Sequence, residues 1–128
     1  MRPFAFKRRT PGKGRTTRRV PGTMNKTEER YEREVIQPRY TCDEIIWYGF
    51  EAMTFKLAND LRYTPDFIVQ LADGTIEAHE VKAGKKDGKP LVEDDSLVKI
   101  KAAAEKFPVR FVMRWRLKDT GAWAEREF

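Results

Sequence analysis

Asp66, Glu80 and Lys82 are of the types, and at the spacing, that suit phosphodiester hydrolysis. That reaction needs a hard divalent cation to neutralise charge on the phosphorus oxygens, and a means of making and aiming hydroxide. Mg2+ takes oxygen ligands, often only one or two carboxylates, and keeps waters that a substrate can displace. Asp66, which follows Pro65, and Glu80 supply carboxylates of that kind. Lys82 stands two residues beyond Glu80, so strand alternation puts both side chains on one face and turns Val81 into the core. Its ammonium can then act as a point charge on the attacking water and the scissile phosphate. The plain alternative is that Asp66 merely begins a strand and Glu80 and Lys82 form a surface ion pair. Against it, Asp is depleted in strands and Glu somewhat so, yet both lie inside otherwise apolar segments.

Positioning these groups calls for a hairpin. Tyr63 to Leu71 and Thr75 to Ala83 read as its strands, joined through Asp73-Gly74. Loop length decides whether the site assembles. A two-residue turn would set Asp66 opposite Val81, facing away from Glu80. A three-residue loop Ala72-Asp73-Gly74, with Gly74 left-handed and forming a bulge, sets Asp66 across from Glu80. That loop, or an equivalent distortion beside Pro65, is the expectation.

The flanking segments suggest the rest of the fold. Asn25 or Thr27 can cap a helix over about residues 27–36, with Glu28, Glu29 and Glu32 in its first turns and Pro38 as its stop. Residues 44–58 are rich in aromatic and β-branched side chains and read as one bent strand or two short ones, broken near Gly49 or Ala52. Asn59-Asp60 is a turn signal. Residues 84–90 form a mobile basic loop. Asp94 or Asp95 caps a helix over about 96–106, with Leu97, Ile100, Ala104 and Phe107 at helical spacing and Pro108 at its end. Val109 to Leu117 alternates as a half-buried strand, and a last short strand runs around Trp123 to Phe128. The order α-β-β-β-α-β-β describes an α/β fold, a mixed β-sheet flanked by helices.

Charge is unevenly spread. Residues 1–26 carry nine Lys or Arg and no acid, while the remaining 102 hold 17 basic against 20 acidic side chains. Residues 1–23 therefore read as a basic disordered arm, broken by Pro3, Pro11, Gly12, Gly14, Pro21 and Gly22, ahead of a domain over 24–128. Such arms bind polyanions, nucleic acid above all, and Arg8, Arg9, Arg15, Arg18 and Arg19 are its candidate DNA-binding residues. No run is long and apolar enough to span a bilayer, and no apolar stretch follows the first basic residues as in a secretory signal. One cysteine, Cys42, excludes an intrachain disulfide and a cysteine-based zinc site, and reads as a half-buried small hydrophobe. These features point to a cytoplasmic protein without a membrane partner.

Pro65-Asp66, thirteen residues, then Glu80-x-Lys82 resembles the PD-(D/E)XK nuclease superfamily. Further segments extend the likeness: Asn25-Lys26-Thr27-Glu28, Tyr63-Thr64-Pro65-Asp66-Phe67, His79-Glu80-Val81-Lys82, Asp94-Asp95, Val98-Lys99-Ile100-Lys101 and Phe107-Pro108-Val109-Arg110-Phe111. Together they resemble small phage-encoded endonucleases, which are similar in turn to phage Holliday-junction resolvases. The likeness covers about residues 24–128. It implies a restriction-endonuclease-like core and a Mg2+-dependent (or Mn2+-dependent) endodeoxyribonuclease. It implies Asp66, Glu80 and a first-helix glutamate, Glu28 in the family's pattern, at the metal, with Glu29 and Glu32 as competitors. It also implies a phosphate-binding basic residue early in the second helix, Lys99 or Lys101. The substrate implied is branched DNA in phage recombination or replication, within the host cytoplasm. Symmetric cutting of a junction implies a homodimer, with a sheet edge or segment 44–58 as interface. One departure stands out: the family often has Gly directly after Glu-Val-Lys, whereas Ala83 precedes Gly84 here.

Lys85 and Lys86 are candidate DNA-binding residues on the basic loop. His79, the sole histidine, faces away from Glu80 and reads as structural or exposed, not as a general base. The run Glu93-Asp94-Asp95 reads as helix capping before it reads as a second metal site. Trp47, Tyr48, Trp115 and Trp123 read as core or interface residues. Two other functions compete: a catalytically inactive DNA-binding protein on a nuclease scaffold, and a nicking or repair nuclease acting on linear duplex DNA.

Overall fold

The computed structural model describes residues 22–128. Helix α1 (Lys26–Tyr31) is capped by Asn25, whose side-chain oxygen accepts the Glu28 N–H at 2.8 Å. The helix does not stop before Pro38. A π-helical turn (Glu32–Ile36) follows, and then α2 (Gln37–Thr41), with Pro38 near its start. The Gln37 N–H reaches back five residues to the Glu32 carbonyl. That wider turn gives the proline ring room it would lack against the carbonyl four residues earlier. At the start of a new segment its missing N–H is also cheap. Cys42, at the end of α2, is exposed and not half-buried.

The strands are β1 (Ile45–Phe50), β2 (Phe55–Ala58), β3 (Leu61–Tyr63), β4 (Phe67–Leu71), β5 (Ile76–Lys82), β6 (Arg110–Arg116) and β7 (Trp123–Glu127), with α3 (Asp94–Lys106) between β5 and β6. Five of them form a mixed sheet in the order β1-β4-β5-β6-β7, and β2 and β3 form a separate antiparallel ribbon. The parallel pair β5–β6 is joined by the long crossover that such pairing requires, and α3 occupies it. The architecture is a mixed sheet between helices, as the element order suggested. The aromatic segment is two strands, broken at 51–54, where Glu51 takes φ 50°. The expected strand from Tyr63 to Leu71 is split. Pro65 cannot donate to a ladder, so residues 64–66 leave it and Tyr63 pairs with Phe55 in the ribbon.

Alternation along β4 feeds two cores. Phe67 and Val69 pack with Tyr31, Ile36 and Phe50 on the face covered by α1 and the π turn. Ile68 packs with Ile100, Ala103, Phe111 and the ribbon's Phe55 on the face covered by α3. A sheet covered on both sides buries its central strands almost end to end, and β5 is buried from Glu77 to Val81. Edge strand β1 carries a bulge between Ile45 and Trp47, which lets Ile45 and Tyr48 share a face and leaves Ile46 exposed. Tyr48 is buried, and Trp47 and Trp123 pack half-buried against the two cores, in keeping with structural roles.

Two further expectations are corrected. Helix α3 starts at Asp94, with Glu93 as N-cap and no side-chain capping bond. Asp94 and Asp95 lie in its first turn, where a carboxylate acts on the dipole and not as a cap. Residues 84–90 fold into a bonded turn: the Lys85 N–H donates to the Lys89 carbonyl, the Gly88 N–H to the Lys85 carbonyl, and the Trp115 indole to the Gly88 carbonyl at 2.9 Å. A Cβ on Gly84 would lie 2.0 Å from the Arg116 carbonyl oxygen, so the displaced glycine is required by that close approach. Among the described residues no helix is long and apolar enough to cross a membrane.

His79 is buried, not exposed. Its Nε2 lies 2.9 Å from Glu77 and its Nδ1 2.7 Å from the Tyr31 hydroxyl. An ionised carboxylate only accepts, so Nε2 carries the proton and Tyr31 donates to Nδ1. Arg110 holds the other Glu77 oxygen at 2.8 Å. Burial depresses the His79 pKa and keeps the ring neutral. The hydrogen bonds from His79 and then Arg110 draw Glu77 down to about 2, against the opposing effect of burial.

A carboxylate with a depressed folded-state pKa stabilises the fold fully above its unfolded value near 4.5, and that stability is lost as pH falls toward about 2. Glu77→Gln is therefore expected to flatten the acid limb of a plot of stability against pH. Urea denaturation between pH 6 and pH 2 checks this. Gly74 adopts φ +92° with open space around it, so Gly74→Ala costs only the left-handed backbone, about 1 kcal/mol in the same assay.

Candidate active site

The β4–β5 loop fixes the geometry of the site. The Gly74 N–H bonds to the Leu71 carbonyl and the Leu71 N–H to the Thr75 carbonyl, each at 2.9 Å, which closes the three-residue loop 72–74. The ladder then pairs Phe67 with His79 and Ile68 with Ala78. Continued by one step, that register sets Asp66 against Glu80, as the loop predicts.

Asp66 and Glu80 are both buried, and a side-chain hydrogen bond joins them. Asp66 Oδ2 accepts the Val81 N–H at 2.8 Å, and the Tyr63 hydroxyl donates to Glu80 Oε2 at 3.1 Å. Burial first, then the Asp66 charge, lifts the Glu80 pKa well above the usual carboxylate range, with Lys82 opposing. Without a cation, Glu80 is therefore harder to ionise than an ordinary carboxyl group. Lys82 extends from the same face of β5 and donates to Ser96 Oγ at 3.3 Å. Val81 packs into the opposite core.

These groups line a cleft of about 450 Å³ together with Asn25, Glu28, Arg62 and Lys99. Among the first-helix glutamates, Glu28 lines it. Glu32 is buried elsewhere, accepting a bond from the Tyr48 hydroxyl, and Glu29 does not line the cleft. Lys99 lies three residues after Ser96 and so shares its helical face, whereas Lys101 is exposed and outside the cleft. Lys85 and Lys86 line a neighbouring cleft instead. Arg8, Arg9, Arg15, Arg18 and Arg19 lie outside the described residues. Among the described residues, no three His, Cys, Asp or Glu side chains converge as a ready-made cation cage.

Arg62, Tyr63 and Ser96 are the site residues that sequence reasoning missed. Ser96 carried a usable signal, three residues ahead of Lys99 on one helical face. Tyr63 carried none, because its approach to Glu80 depends on β3 leaving the line of β4 at Pro65. Comparison with protein-family models, curated proteins and solved structures finds no match to this chain.

The Tyr63 hydroxyl stabilises the ionised form of Glu80. Tyr63→Phe is expected to raise the Glu80 pKa further and to destabilise the metal-free fold by about 1–3 kcal/mol. Carboxyl-carbon NMR titration of Glu80 in both proteins measures the shift. Superimposable curves would show that the bond is not made in solution.

Proposed function

We propose that this chain is a Mg2+-dependent DNA endonuclease with a restriction-endonuclease-like core. The observation that carries the reading is the burial of Asp66 beside Glu80 in a cleft that also takes Lys82. Two adjacent buried carboxyl groups repel each other and lose hydration, and a hard cation between them relieves both costs. The donors are all oxygen, which suits Mg2+ or Mn2+ and not a soft metal. One or two carboxylates, with water completing the shell, is the ordinary way Mg2+ is held.

In this reading Asp66 and Glu80 hold the cation, and Glu28 assists from α1. Held there, a divalent cation would supply neutralising charge to the phosphate and lower the pKa of the attacking water. Asp66 is fixed by the Val81 N–H and Glu80 by the Tyr63 hydroxyl, so neither carboxylate must reorganise as the substrate arrives. Lys82, oriented through Ser96, presents its ammonium to the phosphate and the attacking water. Lys99 and Arg62 add positive charge along the same cleft. The arm's arginines supply affinity for phosphates that is salt-sensitive and independent of sequence. Branched DNA as substrate, a homodimer as the working form and a place in phage recombination within the host cytoplasm extend the proposal through the family resemblance.

Purified protein is expected to cut DNA with Mg2+ and not with EDTA, and to prefer a four-way junction over flap, nicked and linear duplexes. Asp66→Asn, Glu80→Gln and Lys82→Ala should each cut the rate about 10²-fold or more while DNA binding persists. Absence of Mg2+-dependent cleavage on all four substrates, with binding unchanged by the three substitutions, would make the chain a DNA-binding module. Preference for linear duplex would instead favour a nicking or repair enzyme.

A further inference from the structure

A second cleft, of about 470 Å³, adjoins the first, and the two share Thr27, Ala83 and Leu91 as lining. Its other walls carry Lys26, Arg30, Lys85, Lys86, Arg116 and Lys118, and no carboxylate lines it. Glu34 offsets part of that charge, lying 3.6 Å from Arg30 and 3.9 Å from Arg116, and Asp87 lies 3.8 Å from Lys85. Lys26, Lys86 and Lys118 make no ion pair with the described residues, so the cleft stays strongly positive. Trp123 is its aromatic wall, but the ring packs edge-on against Tyr31 and its N–H donates to Glu34. These contacts fix the orientation of the tryptophan.

We infer that this second cleft binds the phosphate backbone of the same DNA strand whose scissile phosphate sits at Asp66 and Glu80, an inference that rests on the nuclease reading. The two clefts divide the labour. One holds three carboxyl groups beside Lys82, and the other holds cations alone. A lone phosphate could occupy either, but only a chain of phosphodiesters can cross the shared ridge of Thr27, Ala83 and Leu91 and be held in both. Because six of the lining side chains are cations, the grip is mainly on phosphate charge and not on the identity of the base. Three segments distant in sequence build the cleft: the start of α1, the bonded turn at 84–90, and the end of β6 with the turn after it. Gly84 allows the turn and β6 to touch, so the cleft's width is set by the backbone and does not depend on flexible side chains.

The test uses the full-length chain carrying Lys86→Glu or Lys118→Glu, and Lys56→Glu on the exposed side of β2 as a control with the same charge change. Binding to a labelled DNA duplex is followed by fluorescence anisotropy over a range of NaCl, with EDTA present. Each cleft variant is expected to bind more weakly, and its slope of log affinity against log salt to be smaller by about one for each phosphate no longer neutralised. Lys56→Glu leaves the slope unchanged. Equal effects from all three, or none from the cleft variants, would overturn the inference. Cleavage assayed in parallel separates the two readings. DNA that is held through the cleft but never cut defeats the nuclease and leaves the cleft standing. DNA that is cut with its salt slope untouched by the cleft variants defeats the cleft alone.

Discussion

Burying one carboxyl group beside another costs free energy twice, once in lost hydration and once in repulsion, and the Asp66–Glu80 pair accepts both costs. The surroundings offset them in part. A backbone N–H holds Asp66, a tyrosine hydroxyl holds Glu80, and the Lys82 charge opposes the repulsion. The Val81 amide and Lys82 come from β5 and Tyr63 from β3, while Ser96 of α3 takes the Lys82 ammonium. The pair thus depends on how the ribbon, the hairpin and the helix dock, and a protein that did not use the pair would gain by replacing it with apolar residues. So costly an arrangement is what the proposed cation would relieve.

The opposite face of β5 solves its polar problem differently. Glu77, His79, Tyr31 and Arg110 form a closed chain of donors and acceptors in which each group has its partner, so nothing there invites a ligand. Strand alternation places these two arrangements back to back on adjacent residues. The lone histidine is thereby spent on structure, and the cleft has no imidazole among its lining side chains.

Much of this was legible in the sequence. The hairpin loop was readable because Gly74 follows Asp73 where only one loop length places Asp66 with Glu80, and the pairing of Phe67 with His79 bears that register out. The mixed sheet followed from the order of elements, and a helix over about 96–106 from periodicity, short by the first turn that begins at Asp94. The π turn was not readable, because proline looks like a stop when only the α-helix is considered, and one extra residue per turn has no compositional mark. The split of the strand at Pro65 was foreseen only as a local distortion. Its consequence, a ribbon that delivers Tyr63 to Glu80, depends on tertiary packing. Glu28 could not be separated from Glu29 and Glu32 by spacing alone, since all three sit in the first turns, and the cleft separates them.

The bulge in β1 has a further effect at the rim of the sheet. An exposed strand edge is a template for another chain, and a regular one would let copies of the protein add strands without limit. Here the ladder of β1 is out of step between Ile45 and Trp47, and β7 at the other end carries Glu125, Arg126 and Glu127. The first edge is geometrically spoiled and the second electrostatically guarded. Growth of the sheet by backbone pairing is discouraged at both ends, so two copies that associate are left to do so through side chains.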